Sequence, residues 1–225
     1  MTWYAKTTGS YLIGSVEADS NATEAMNILM NDFGWSYAAC CGVFGNIDSE
    51  GGWNPWRWQD DNVITRSAAL ADHSQSSIHG YGLIGWTPAG KYQFNNHTVN
   101  GVVLFPNYDQ ESYYGYGPNW SDVTGIPEDG AAQIRLVGTA MARNSGNIWI
   151  MRKNCSASRF ITLQDPREAA YYWLYNAEFP EHVQDEEQER MAQALAWYEH
   201  LGGGGFANPL IAIMKKISDR SRGLY

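Results

Sequence analysis

The sequence predicts a mainly α-helical domain, of the α+β class, in which a small loop or hairpin lobe follows the second helix. Two observations lead to this prediction. Apolar residues recur at helical spacing near the N-terminus and again in the C-terminal half of the chain. Between these regions, residues 51–90 contain strand-like and turn-like pieces, and residues 95–129 are rich in Gly, Pro, Asn and Tyr, as is typical of long loops.

The two N-terminal helices have recognisable ends. Asn21 is a suitable cap for a first helix over about 22–33, and Gly34 ends it. Ser36 can cap a second helix over 37–50. The apolar stripe of this second helix consists of Tyr37, Cys40, Cys41 and Phe44.

Helical patterns resume later in the chain, at about 129–146, 166–177 and 184–200.

Within the second helix, Gly42 and Gly45 project away from the apolar stripe. Because glycine has no Cβ, we expect another part of the backbone to approach the helix closely at these two positions.

The chain is predicted to divide into an arm, a main domain and a tail. Residues 1–20 are polar with a few aromatics and form the arm, and residues 21–201 form the domain. Residues 202–225 combine a Gly linker with a short amphipathic helix that has a basic face. Three interpretations of this helix stay open: docking on the domain or on a partner subunit, contact with an anionic membrane surface, or a disordered tail.

The composition excludes several classes of protein. With 225 residues, of which 44% are hydrophobic, the chain can build a proper core and is not disordered. The net charge of −9 leaves no basic patch, so we predict no nucleic-acid partner. The N-terminus lacks the basic and then apolar order of a signal peptide, and no stretch reaches the roughly 18 to 20 apolar residues of a membrane span.

The cysteines and histidines indicate neither a disulfide framework nor a metal site. Cys40 and Cys41 are adjacent in one predicted helix and are poorly placed to pair, which leaves Cys155 as a third. This usage fits synthesis in a reducing compartment, and we interpret Cys40 and Cys41 as packing residues. No HExxH or other zinc spacing is present, so neither a metal nor a cofactor is predicted.

The second helix is predicted to end in two carboxylates, Asp48 and Glu50, just before a Gly-Gly-Trp-Asn-Pro turn. The helix dipole disfavours negative charge at this end, where a merely structural sequence would favour Lys or Arg. Glu50 falls in line with Val43 and Ile47 on the flank of the apolar stripe, so we expect it to be partly desolvated without being buried. A carboxyl group in this setting tends to keep its proton, as the general acid of a glycosidase must.

Four segments together form a specific pattern over about residues 22–200. They are Gly45-Asn46-(x)3-Glu50, Asn54-Pro55-(x)2-Trp58-Gln59, Gly80-Tyr81-Gly82-Leu83-(x)2-Trp86-Thr87-Pro88, and a later helix with Ala169-Ala170-Tyr171-Tyr172-Trp173 and Glu178-Phe179-Pro180. This pattern resembles the phage tail lysozyme family. The family lies in the lysozyme-like superfamily, together with goose-type lysozymes and soluble lytic transglycosylases.

The resemblance implies a lysozyme-like fold that cuts the β-1,4 bond between N-acetylmuramic acid and N-acetylglucosamine in peptidoglycan, with Glu50 as the catalytic acid. It implies that the Gly80–Pro88 segment lines the opposite wall of the cleft. Similar proteins often carry Gln where this chain has Gly85, so a side-chain contact from that position is missing. The implied partners are peptidoglycan glycan strands and phage tail proteins. The implied location is the virion tail, after synthesis in the host cytoplasm, with action on the bacterial cell wall.

Further site residues are predicted from their position after Glu50 and from their chemistry. Asp60 is the candidate second carboxylate, as an electrostatic partner or as a base that activates water, with a solvated loop acid as the competing interpretation. The residues predicted to face the sugar are Trp58, Gln59, Tyr81 and Trp86. Their flat rings suit stacking and the amide suits the N-acetyl group, with core packing as the alternative. For Tyr171 and Tyr175, one turn apart on a helix, core packing is the favoured interpretation.

Three functional alternatives to a hydrolysing muramidase stay open. A lytic transglycosylase would release an anhydro-sugar by internal attack of the sugar's own hydroxyl. A free endolysin would act late in infection, although no separate wall-binding module is evident. A catalytically inactive, glycan-binding structural tail protein is the third alternative, and the intact Glu50 argues against it.

Overall fold

The computed structural model confirms the mainly α-helical class. It describes residues 10–50, 52–55, 82–85, 98–99, 102–103, 129–142, 149–178, 180 and 183–202. The helices in these ranges are α1 (Val16–Asn27), α2 (Tyr37–Glu50), α3 (Asp129–Ala142), α4 (Ala157–Phe160), α5 (Pro166–Trp173) and α6 (Val183–Gly202). Two π-helical segments, Ile28–Asp32 and Leu174–Glu178, continue α1 and α5.

Helix α1 begins earlier than predicted, because Ser15 rather than Asn21 is its N-cap. The side chain of Ser15 accepts a hydrogen bond from the backbone N–H of Ala18, at 3.1 Å. Residues 16–20, which were predicted to belong to the arm, are therefore helical, and Ala18 is fully buried. Asn21 has a different role, since its Nδ2 donates to the carbonyl oxygen of Trp53 at 2.8 Å.

Helix α2 has the predicted bounds and lies at the centre of the domain. The hydroxyl of Ser36 accepts from the N–H of Ala39 at 3.0 Å, as expected of the cap. The residues from Ala38 to Ile47 are all buried, so the helix is covered on every side. It packs against α5 and α6.

The two glycines of α2 make this packing close, as predicted. A Cβ on Gly42 would lie 2.4 Å from the Cβ of Ala169 in α5. A Cβ on Gly45 would lie 2.6 Å from both the backbone nitrogen of Ala194 and the carbonyl oxygen of Arg190 in α6. Both neighbouring helices therefore approach α2 where it has no side chain.

Aromatic side chains fill the core in two groups. In the first group Trp35, Phe160 and Trp149 are in contact, with centroid distances of 5.5 Å for Trp35–Phe160 and 4.8 Å for Trp149–Phe160. In the second, the ring of Trp53 lies 4.8 Å from Phe44 and 5.3 Å from Trp197. The tryptophans in the described ranges are all buried, so each of them serves core packing.

Strands β1 (Thr98–Val99) and β2 (Val102–Val103) form a short antiparallel pair, in which Thr98 lies opposite Val103. This pair lies within residues 95–129, which were predicted to form long loops with little regular structure. The three cysteines, all of which the structure describes, are buried and form no disulfide. Among the described helices none has the length and apolar character needed to cross a membrane.

Candidate active site

Glu50 is the last residue of α2, and the chain turns sharply after it. The N–H of Gly52 donates to the carbonyl oxygen of Ile47 at 2.8 Å, which closes the end of the helix. Gly52 has a φ of 54° and Trp53 a φ of 59°, so both are in the left-handed region. The buried ring of Trp53 and the bond from Asn21 to its carbonyl oxygen hold this turn in place.

The side chain of Glu50 is 26% exposed, which agrees with the expected partial burial. Arg190 Nη2 donates to Glu50 Oε1 at 2.5 Å. The position of Glu50 at the end of the helix did not predict this positive charge beside it. The carboxyl group thus has a fixed partner on one side and remains partly accessible.

A second turn, residues 82–85, lies against the same carboxyl group. A Cβ on Gly85 would be 2.6 Å from Glu50 Oε2, and the φ of Gly85 is 62°. This position therefore suits glycine for two reasons, close approach and backbone conformation. The missing side-chain contact that the sequence suggested at Gly85 is replaced by the proximity of its backbone to Glu50.

Gln133 of α3 joins the two turns around Glu50. Its Nε2 donates to the carbonyl oxygen of Pro55 at 2.8 Å, and its Oε1 accepts from the N–H of Leu83 at 2.8 Å. The side chain is almost fully buried. Because both ends of the amide are satisfied by backbone groups, this contact fixes the turn after α2 relative to the Gly85 turn.

Arg190 of α6 is buried and binds four side chains at once. Its Nη1 donates to Glu178 Oε2 at 2.5 Å and to Asn46 Oδ1 at 3.2 Å. Its Nη2 donates to Glu50 and to Glu186, and its Nε donates to Glu186 Oε2 at 2.9 Å. We call Glu50, Glu178, Glu186 and Arg190 the Arg190 cluster.

Glu178 is the most buried carboxylate of the Arg190 cluster, with its side chain 5% exposed. Burial raises its pKa to about 8, and the charges of Glu50 and Glu186 act in the same direction. Arg190 and a 2.6 Å hydrogen bond from Trp173 Nε1 oppose this increase. Near neutral pH the cluster therefore keeps a proton on Glu178.

Asp48 lies on another side of α2 from Glu50, next to Trp197 and Phe44. Its Oδ2 accepts a hydrogen bond from Trp197 Nε1 at 2.6 Å. Burial raises the pKa of Asp48 to about 7, and the bond from Trp197 limits the increase. The two carboxylates at the end of α2 thus have separate environments.

Of the remaining residues considered for the site, the structure describes only Tyr171 and Tyr175. Asp60, Trp58, Gln59, Tyr81 and Trp86 lie outside the described residues. Tyr171 and Tyr175 lie next to each other, at 4.7 Å between centroids.

The contacts of Tyr175 are those of a structural residue. Its hydroxyl donates to Glu187 at 2.9 Å, and Lys153 Nζ lies 4.3 Å from its ring centroid.

Among the described residues, no group of three or more His, Cys, Asp and Glu side chains is arranged to hold a metal ion.

Sequence reasoning did not identify Glu178 or Arg190 as parts of the site. The available signal was the position of Arg190, which is in line with Ala194, Trp197 and Leu201 on the buried side of α6. A charged residue on an apolar stripe requires a buried counterion, but the sequence does not say which carboxylate provides it.

A buried central helix that ends in a carboxylate beside a glycine turn defines a helical domain of the lysozyme-like class. Residues 20–201 match the family described as phage tail lysozyme. The chain belongs to the phage tail lysozyme family.

The chain also has a curated relative from a phage. The chain is similar to "Morphogenesis protein 1" of Bacillus phage B103, with 27% identity over 191 residues. This match covers 84% of the chain and 41% of the relative, so the chain spans less than half the length of that protein.

Proposed function

We propose that this protein is a peptidoglycan-degrading muramidase that cleaves the β-1,4 bond between N-acetylmuramic acid and N-acetylglucosamine, with Glu50 as general acid. The main supporting observation is the setting of Glu50, which is 26% exposed between Arg190 and the Gly85 backbone. A carboxyl group that the core fixes on one side and leaves accessible on another suits proton transfer to a bound substrate. Membership of the phage tail lysozyme family supports peptidoglycan as the substrate.

In the proposed reaction, Glu50 gives its proton to the glycosidic oxygen while the bond from that oxygen to the N-acetylmuramic acid ring breaks. Positive charge develops on the ring, and either water or the sugar's own hydroxyl then attacks it. Water gives hydrolysis, and internal attack gives an anhydro end. We propose Asp60 as the second carboxylate, and the residues proposed to face the sugar are Trp58, Gln59, Tyr81 and Trp86.

We also propose that the enzyme acts from the phage tail on the wall of the host bacterium. The family description and the name of the B103 relative, a morphogenesis protein, support a particle component over a free endolysin. The net charge of −9 provides no attraction to an anionic wall, which fits an enzyme that a particle delivers.

Substitution of Glu50 tests the proposed acid. In the Glu50→Gln variant, the amide oxygen can still accept the hydrogen bond from Arg190. The amide has no carboxyl proton to transfer, however. We expect the release of fragments from purified peptidoglycan to fall by at least ~100-fold while the far-UV circular dichroism stays unchanged. The matched control is Glu168→Gln, because Glu168 forms a surface ion pair with Arg159 at 3.1 Å, and this variant should keep wild-type activity.

The products separate the alternatives. Mass spectrometry that finds reducing N-acetylmuramic acid ends means hydrolysis, and anhydro ends mean transglycosylation. Full activity in Glu50→Gln would refute the assignment of the acid. A wild-type protein that binds peptidoglycan but releases no fragments would be the inactive glycan-binding tail protein.

A further inference from the structure

Five large apolar side chains in the described ranges are exposed, and they form two groups. In the first group Leu12 and Val16 are 72% and 70% exposed, and Ile13 between them is exposed as well. The second group consists of Ile150 and Met151. We call the three residues of the first group the Leu12 patch. Single exposed apolar residues are common, whereas adjacent ones mark a surface that another segment can cover.

The two groups differ in the charge of their surroundings. Helix α1, which begins at Val16, contains no Lys or Arg but has three acids, Glu17, Asp19 and Glu24. Met151, in contrast, is followed directly by Arg152 and Lys153. A basic segment is therefore attracted to the Leu12 patch and repelled by the second group.

Helix α6 ends close to the Leu12 patch. In its last turn, His200 Nε2 lies 2.8 Å from Asp19 Oδ1. The same oxygen accepts a hydrogen bond at 3.1 Å from the N–H of Gly14, which lies between Ile13 and Val16 in the chain. Residues 203–208 can span up to about 20 Å when they are extended. The residues that follow them can therefore reach the Leu12 patch.

Residues 203–225 lie outside the described residues, and their sequence has the chemistry that the Leu12 patch calls for. A helix that begins at Pro209 would place four apolar residues on one stripe, namely Leu210, Ile213, Met214 and Ile217. Lys215 and Lys216 would flank this stripe on opposite sides. Residues 203–225 carry four basic residues and one acid, so their charge is opposite to that of α1.

We propose that residues 209–217 form a short amphipathic helix that docks on the Leu12 patch of their own domain. The apolar stripe of this helix covers the patch, and its lysines face the acids of α1. A helix this short is marginal in water by itself, so it forms because it docks. The proposal does not depend on the proposed function of Glu50.

Docking at this place also connects the tail with the candidate active site. Directly before the Leu12 patch, the N–H of Tyr11 donates to the carbonyl oxygen of Gly52 at 2.6 Å. The side chain of Ser10 occupies the space that a Cβ on Gly52 would need. Because Gly52 belongs to the turn after Glu50, a helix on the Leu12 patch helps to hold the arm against that turn.

Hydrogen exchange of the full chain, followed by mass spectrometry, tests the docking. In the wild type, the amides of residues 210–217 should exchange at least ~10-fold more slowly than those of a free peptide of the same sequence. The double variant Leu12→Gln/Val16→Gln removes apolar surface without adding charge, so exchange should rise to the rate of the free peptide. Both side chains are exposed, so the domain should still fold, which circular dichroism checks.

Two further variants make the test specific. Ile150→Gln/Met151→Gln is the matched control, because it removes the other exposed apolar group, and the tail should stay protected. Lys215→Glu/Lys216→Glu reverses the charges beside the stripe, so its protection should fall by about 5-fold. If Leu12→Gln/Val16→Gln does not fold, Val16→Gln alone should show the same effect to a smaller extent.

Several results would overturn the inference. One is exchange in the wild type as fast as in the free peptide, and another is unchanged protection in folded Leu12→Gln/Val16→Gln. Protection that rises with protein concentration would assign the helix to a second copy of the chain. Protection that needs phosphatidylglycerol vesicles would assign it to an anionic membrane surface. None of these measurements uses peptidoglycan cleavage, so this inference and the proposed function can fail separately.

Discussion

At the scale of single residues, the end of α2 carries two carboxyl groups with opposite surroundings. Asp48 accepts a hydrogen bond from the indole of Trp197 within an aromatic part of the core. Glu50 contacts the guanidinium of Arg190 and is partly exposed. Two acids only two residues apart, and so on different sides of the helix, can thus have separate roles, because Asp48 serves the core and Glu50 faces the proposed substrate site.

Asp48→Asn should make the protein more stable near neutral pH and leave it almost unchanged near pH 4. Folding raises the pKa of Asp48 from 3.8 to about 7. Within that window the folded protein binds more protons than the unfolded chain, so the free energy of unfolding falls as the pH rises. Asn keeps an acceptor for Trp197 without the charge, which should restore roughly 1 to 3 kcal/mol at neutral pH.

Urea unfolding of wild type and Asp48→Asn at about pH 4 and about pH 7.5 measures this effect. Glu178 contributes a fall of the same sign up to about pH 8 in both proteins, so the variant should show a smaller pH dependence rather than none. The same pH dependence in both proteins would show that Asp48 does not titrate as described.

At the scale of elements, short turns position the site as much as the helices do. The turn after α2 and the turn at residues 82–85 are joined by the amide of Gln133 from α3. Gly85 then brings its backbone against Glu50. Three segments that are far apart in the sequence therefore define the surroundings of one carboxyl group.

Gly85→Ala tests the approach of this turn to Glu50. The new methyl group would lie 2.6 Å from Glu50 Oε2, so the carboxyl group would have to move, and we expect kcat to fall by about 10-fold. Gly34→Ala is the matched control, since Gly34 also has a left-handed φ of 70° but nothing within 4 Å of its Cβ position. Both variants should lose about 1 kcal/mol of stability, and only Gly85→Ala should lose activity. Equal activities in the two variants would contradict the contact.

Local signals explain which helices the sequence predicted well. Helix α2 has a serine cap at one end and glycines just after the other, so both of its bounds were predictable. The start of α1 was missed because its first turn is polar, with Glu17 and Asp19, and resembles a solvated arm. Ser15 provides the cap there, but a single serine is a weak signal.

The contacts of Glu50 could not be predicted in the same way. The position of Glu50 at a helix end next to glycines is a local feature, and the sequence therefore identified it. Its bond to Arg190 joins residues separated by 140 positions, and that of Arg190 to Asn46 spans 144. Such pairs depend on how α2, α5 and α6 pack, which single-residue patterns do not encode.

At the scale of the whole molecule, α2 is held between α5 and α6 at its two glycines. Because α6 also carries Arg190, the distance between α2 and α6 determines whether the guanidinium reaches Glu50. Packing in the core and geometry at the site are therefore set by the same contact.

Gly45→Ala should separate these two helices. Its Cβ would lie 2.6 Å from backbone atoms of α6, which cannot move independently of the helix. We expect a loss of roughly 2 to 3 kcal/mol in the free energy of unfolding, although alanine is the better helix former. Activity per folded molecule should also fall, because Arg190 moves with α6.

Gly42→Ala provides the comparison, since its Cβ would meet Ala169 of α5 and not α6. This variant should lose similar stability while its activity per folded molecule stays closer to the wild type. Both quantities can be measured by thermal unfolding and by peptidoglycan turnover at a temperature where the two variants are folded. If Gly45→Ala kept the stability and the activity of the wild type, α2 and α6 would have room to adjust to the added methyl group.

A single helix, α6, supplies the partners of both acids at the end of α2, Arg190 for Glu50 and Trp197 for Asp48. A fragment that stopped before Val183 would still contain both acids but would lack the guanidinium and the indole that bind them. The same holds for chimeras between related phage proteins, because a crossover between α2 and α6 would combine acids from one parent with partners from the other. The two helices are thus best exchanged together.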